Sequence, residues 1–326
     1  MVQRAFGRAR CAEQSVVQET LDACTSENVA QMEQALDEIY RTHSQGYGHD
    51  YEEGLLVLDV DLSGWPCGRK AAFASKGYFA KQRNRRGRQL GRVYATPYQE
   101  IVVDRLFAGR TQLHQALQPL IEAAARTLAL TPEKRTRTLL RIDAGAGTVE
   151  QVNWLLEQNY HLLVKDFSTR RATHLATTVP QWWADPTQPG REVGWVVEAS
   201  SAYTRSVHRL AVRCQKQDGT WGYGVLLTTL DPTQAETLLG GLPDSLPPEQ
   251  RALLAYLYLY DLRGGAAETS FKGDKQGLGL TKRNKKRWEA GSVKYRIVLA
   301  NSCCRLPDQA AGASAPKREG FVLRCG

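Results

Sequence analysis

The chain has 326 residues, 42% of them hydrophobic, with 43 Lys and Arg against 34 Asp and Glu and a formal charge of +9. That length supports one large domain or two ordinary ones around a sizeable core, and the apolar fraction excludes a disordered chain. No apolar run approaches the roughly 18 to 20 residues of a membrane helix, and no apolar stretch follows the basic N-terminus as in a secretory signal. The seven cysteines are scattered, without a CxxC pair, which points to reduced structural thiols. The expectation is a cytoplasmic protein without membrane contact. Its basic excess favours a polyanionic partner through release of condensed counterions.

In chain order, residues 12–44 predict two helices, the second with Val29, Met32, Leu36 and Ile39 along one face, ending near Gly46 and Gly48. LLVLDVDLS at 55–63 predicts a buried strand between Gly54 and Gly64. The Gly- and Arg-rich stretch 65–92 predicts a loop or loose hairpin, and 92–107 predicts two strands hinged near Pro97. A helix over 111–130, a strand at 138–143, a helix opened by Thr148 and Gln151 at capping-box spacing, and a strand at 160–167 follow. Beyond residue 170 three strands come in succession, the last two joined at Asp218-Gly219, before a helical pattern returns at 248–262.

This order predicts an α/β fold: a ribonuclease-H-like mixed sheet with flanking helices, an inserted antiparallel β region and an N-terminal helical segment. The expected divisions are an N-terminal helical segment at 1–50, the first part of a catalytic core at 51–170 and a β-rich insertion at 171–247. The second part of the core, with its Glu-bearing helix, is expected at 248–290, and an irregular tail at 291–326.

Phosphodiester chemistry with divalent metal needs hard oxygen ligands projecting from rigid elements that meet in the fold. Asp59 and Asp61 lie two residues apart in an apolar strand and therefore share a face. A carboxylate there needs metal, hydrogen bonds or solvent, because burying it unpaired costs several kcal/mol. Asp143 ends the next buried strand, where open α/β sheets place their sites. Glu268 follows the β insertion, with Lys275 two helical turns later on nearly the same face. Each residue alone is as well explained by a strand end or a solvated helix face.

Together these segments resemble bacterial DDE-type insertion-sequence transposases. YDLRGGAAETSFKGDKQGL at 260–278 is similar to their Y-x-x-R-x-x-x-E-x-x-x-x-x-x-K signature, with Tyr260, Arg263, Glu268 and Lys275 matching. LDVDLSG resembles the first-aspartate strand, and LLRIDAGAGTVEQVNWLLEQNYHLLVKDFS the second-aspartate region. The resemblance implies catalytic, metal-binding roles for Asp61, Asp143 and Glu268, with Asp59 in reserve as first carboxylate, and Mg2+ (Mn2+ as substitute) as cofactor. It implies double-stranded DNA as partner, a homodimer on that DNA, and contacts from Tyr260, Arg263 and Lys275. Arg83, Arg85, Arg86 and Arg88 add a basic loop suited to tracking a phosphate backbone. Trp182 and Trp183 are expected in the core or, in one case, stacked on a base.

Two departures stand out. Four residues, Gly264 to Ala267, separate Arg263 from Glu268 where the family has three, and a continuous α-helix would rotate Arg263 by about 100° off the Glu268 face. The Gly264-Gly265 pair offers a bulge that absorbs the extra residue. The Gly-, Pro- and Ser-rich tail lacks the family's long apolar helix, and with the short N-terminus it implies a copy truncated at both ends. The expected function is transposition. A ribonuclease-H-like nuclease that cuts without joining, and an inactive remnant that only binds DNA, are the alternatives.

Overall fold

The computed structural model describes residues 13–77, 79, 82, 84–276 and 285–303. Its centre is a ten-stranded, mostly antiparallel sheet. In chain order the strands are β1 (Leu56–Pro66), β2 (Ser75–Lys76), β3 (Arg86–Ala95), β4 (Glu100–Ala108), β5 (Thr138–Ile142), β6 (His161–Lys165), β7 (Trp183–Ala184), β8 (Arg191–Trp195), β9 (His208–Gln215) and β10 (Trp221–Thr228). They lie in the order β2-β3-β1-β5-β6-β10-β9-β8-β7, with β4 on β3. β1 runs antiparallel to β3 and parallel to β5, which is parallel to β6.

The helices are α1 (Gln14–Ala23), α2 (Ser26–His43), α3 (Leu113–Thr127), α4 (Pro132–Arg135), α5 (Val149–Glu157), α6 (Thr169–Ala176), α7 (Pro232–Leu239), α8 (Pro248–Arg263), α9 (Thr269–Gln276) and α10 (Trp288–Cys303). Among the described residues no helix is long and apolar enough to cross a membrane.

Period-two alternation divides the core. Leu56, Leu58 and Val60 of β1, with Leu140 and Ile142 of β5, pack beneath α2, α3 and α5. The alternate residues Leu55, Val57, Leu139 and Leu163 pack on the other face against α7 and α8. The expected local signals hold at several joints. Thr148 caps α5 by accepting from the Gln151 amide at 3.3 Å. Thr96–Tyr98, containing Pro97, makes a single 3-10 turn between β3 and β4. Gly219, at φ 80°, turns the β9–β10 hairpin.

The stretch 65–92 is the long hairpin connection between β1 and the antiparallel β3, with strand at its ends: β1 continues to Pro66 and β3 begins at Arg86, so Arg88 and Arg92 are strand residues. Two expectations need correction. The strands of the insertion do not stand apart: β10 pairs with β6 and carries β9, β8 and β7 as an extension of the one sheet. The described part of the expected irregular tail is helical. α10 buries Ala290, Val293 and Tyr295, Tyr295 lying 5.1 Å edge-on from the Trp65 ring. Apolar residues at helical spacing, with no proline before Pro307, explain that helix.

Gly147 shows how closely the loop after β5 is laid on the end of β6. A Cβ there would lie 1.9 Å from the Lys165 carbonyl oxygen, and the Gly147 carbonyl accepts from the Phe167 amide at 3.1 Å. Gly147→Ala is therefore expected to destabilise by about 1–3 kcal/mol, the cost of overpacking, since the obstacle is backbone. A lowered urea midpoint at unchanged slope checks this.

Candidate active site

The face of β1 under α8 and α9 changes character along its length. Leu55, just before the strand, and Val57 are apolar and pack on α8. Asp59 is fully buried in a bidentate pair with Arg141, both contacts at 2.7 Å, and also accepts from Thr96 Oγ1 at 2.6 Å. Arg141 stands opposite Asp59 in the parallel β1–β5 register, and its third arm donates to the Leu259 carbonyl of α8 at 2.7 Å. Asp59 thus locks β1, β5 and α8 together. Asp61, one pleat further, has no such committed partner. Ser63 accepts from Lys275 at 2.6 Å, and Trp65 packs with Phe271 and Tyr295.

Asp61, Asp143 and Glu268 come from three separate elements and surround one guanidinium. Arg263 Nη1 lies 3.8 Å from Asp61 Oδ2, and Nη2 lies 3.7 Å from Asp143 Oδ2 and 4.0 Å from Glu268 Oε1. Asp143 follows the end of β5 and is steadied by accepting from the Gly145 amide at 2.7 Å. Asp61 accepts from the Leu62 amide at 2.8 Å. Burial pushes the Asp61 carboxyl up to about 7, with Arg263 pulling down and Asp143 and Glu268 pushing up. Burial and Asp143 likewise raise Glu268 against the pull of Arg263. For Arg263 burial opposes the charge, but Tyr260, Asp61, Asp143 and Asp59 outweigh it and hold the guanidinium above its ordinary value.

The extra residue between Arg263 and Glu268 is absorbed by a π-helical turn at Gly264–Glu268, between α8 and α9. In an i→i+5 turn the fifth residue takes the place of the fourth in an α-helix, so Glu268 returns to the Arg263 side. Gly265 is exposed, and a Cβ there would meet no atom within 4 Å. Gly265→Ala is expected to stabilise by about 0.5–1 kcal/mol through lower backbone entropy. Deleting Gly265 is expected to restore α geometry with Arg263 and Glu268 still together. Thermal denaturation with circular dichroism checks both variants.

α9 is fixed to the sheet by Arg92, which no sequence motif marks. It stands opposite Asp61 on β1 and Asp104 on β4, and is fully buried. Its fork binds Asp104 at 2.7 and 2.6 Å, Asp274 of α9 at 2.6 Å and Ser270 at 2.5 Å. Arg92 is therefore committed to Asp104 and Asp274, which leaves Asp61 to Arg263.

The remaining expected contacts fall into three groups. Lys275 is half-buried, 5.1 Å from the Trp65 ring, and its ammonium is lowered by burial against the pull of Asp61. Tyr260 is buried in the α8 cluster with its ring centroid 5.9 Å from the Arg263 guanidinium, so it packs beside Arg263 rather than facing solvent. Arg85 and Arg86 are exposed, while Arg83 lies outside the described residues. Arg88 is a correction: it is 2% exposed and donates to the carbonyls of Ala72, Lys286 and Arg287 at 2.8, 3.0 and 3.3 Å, which ties β3 to the start of α10. Of the tryptophans, Trp183 packs with the α8 cluster and Trp182 lies 4.4 Å from the Arg213 guanidinium.

The carboxylates are spread around the guanidinium, and among the described residues no three His, Cys, Asp or Glu side chains stand at ligand spacing. The donor chemistry nonetheless fits a hard divalent cation. Three carboxylates from three elements already face one positive group, and hard oxygen donors of this kind are what such a cation takes.

No family model matches the chain, and no curated protein matches it. Among solved structures, the chain is similar to the piggyBac transposase in a cryo-EM synaptic complex with hairpin DNA, at 13% identity and a TM-score of 0.46. The match covers 76% of this chain and 45% of that one, so the chain spans less than half of that protein's length.

Proposed function

We propose that the protein is a DNA transposase of the DDE type, which cuts transposon ends and joins the released 3′ hydroxyl to target DNA. The observation that carries this reading is the gathering of Asp61, Asp143 and Glu268 within 4.0 Å of a single guanidinium. A three-strand antiparallel unit of β1, β3 and β4, followed by β5 and β6 parallel to β1, supports a ribonuclease-H-like core.

Asp61, Asp143 and Glu268 would hold Mg2+ or Mn2+, which supplies Lewis-acid activation of the attacking oxygen and neutralises charge on the leaving one. Asp59 is the structural aspartate of the pair, because its two oxygens are taken by Arg141. Lys275, tethered to Ser63 two residues past Asp61, would hold a phosphate of the bound strand. Arg85 and Arg86 offer exposed charge to the duplex backbone. The partner is double-stranded DNA, with a homodimer acting on it in the cytoplasm.

The test is to incubate the protein with Mg2+, a supercoiled plasmid and pre-cleaved fragments ending in the DNA that flanks its own coding region. Joining of fragment to plasmid is expected. Degradation without joining would make the protein a nuclease, and binding without cleavage an inactive remnant.

A further inference from the structure

We propose that Arg263 is a resident counter-cation, which gathers Asp61, Asp143 and Glu268 and competes with divalent cations for them. The inference rests on the reading of these carboxylates as a metal site. Its basis is how Arg263 differs from other buried arginines of the same sheet and helices. Arg92, Arg141 and Arg191 each grip a carboxylate at 2.6 or 2.7 Å. Arg263 is also buried, at 6% exposure, yet its closest carboxylate oxygens are 3.7, 3.8 and 4.0 Å away, beyond hydrogen-bond range. Its Nη1 is buried without a hydrogen-bond partner.

A guanidinium shared among three carboxylates at similar distance is committed to none of them. It offsets their mutual repulsion by long-range attraction while forming no fork that must be broken. A divalent ion binds carboxylate oxygens at about 2.0–2.1 Å. The carboxylates must therefore close inward to bind one, onto the space the Arg263 fork faces. The two cations cannot both hold the centre. The π turn that begins at Gly264, directly after Arg263, is a local departure from helix of the kind frequent at functional sites.

Binding of Mn2+ alone, followed by the electron paramagnetic resonance of the free ion, tests this on the full chain. Arg263→Gln is expected to tighten Mn2+ binding by about tenfold or more, the scale set by removing a unit charge at about 4 Å. Arg263→Lys, which keeps the charge, is expected to bind Mn2+ as the unsubstituted protein does. The Mn2+-induced rise in melting temperature should be larger in Arg263→Gln. Equal or weaker binding by Arg263→Gln would overturn the proposal, since a merely structural arginine predicts that outcome.

Should Arg263→Gln not fold, the Arg263 Nε–H resonance of the unsubstituted protein decides. A shift on Mg2+ titration, absent in Asp143→Ala, is expected, and an unmoved resonance at saturating Mg2+ overturns the inference. If Mn2+ binding is not weakened by Asp143→Ala, the metal-site reading itself fails and this inference with it. If binding depends on Asp143 but Arg263→Gln leaves it unchanged, only this inference fails.

Discussion

Asp143→Ala is expected to lower Mg2+-dependent nicking and joining by about 10³-fold or more, because metal-assisted charge stabilisation supplies several kcal/mol and each 1.36 kcal/mol is a factor of ten. Of the three carboxylates Asp143 is one whose removal perturbs the fold little. It follows the end of β5, its side chain is 39% exposed, and the hydrogen bond it loses is a local one to Gly145. Asp61 is less suitable for the test, its side chain being only 14% exposed. A melting temperature close to that of the parent chain, with product formation lost in a gel assay of nicked plasmid, separates lost chemistry from lost fold. Combining Asp143→Ala with Glu268→Gln should cost little more than either alone, since groups that act as one unit are not additive.

Arg92→Ala is expected to cost about 3–5 kcal/mol of stability, the range for breaking a buried ion pair from one side. The substitution leaves two acids without their cation: Asp104, buried on β4, and Asp274, buried on α9. It also removes one of the ties that hold α9 on the sheet beside Lys275–Ser63 and Phe271–Trp65, and so loosens the frame that orients Glu268. Urea denaturation reads the loss directly. Replacing Arg92 by Met together with Asp104→Asn and Asp274→Asn should recover much of it, because no uncompensated charge then remains buried. Recovery of stability without activity would show that the network also aims Glu268.

Much of this layout is legible in the chain itself. Period-two alternation in LLVLDVDLS puts Asp59 and Asp61 on one face, and they share it. Their different fates are not legible, because they depend on register. Arg141 falls opposite Asp59 across the parallel β1–β5 pair, while Arg92, opposite Asp61, is held by Asp104 on the strand beyond. Those pairings join residues 82 and 12 positions apart, outside any local window.

How far strand extends into the polar stretch 65–92 is hidden in the sequence for a similar reason. Arginine within a strand is unfavourable until its partners are known, and two of the three carbonyls that Arg88 binds lie 198 and 199 residues away. The π turn was partly legible. The one-residue excess and the Gly264-Gly265 pair together point to a bulge, though not to its hydrogen-bond pattern.

The most direct measurement is a crystal of the full chain soaked in Mn2+, examined by anomalous diffraction. The account predicts a peak bound at about 2.1 Å by carboxylate oxygens of Asp61, Asp143 and Glu268, with Arg263 turned away from them. Mn2+ bound elsewhere, with Arg263 still centred among the three carboxylates at saturating metal, would contradict it.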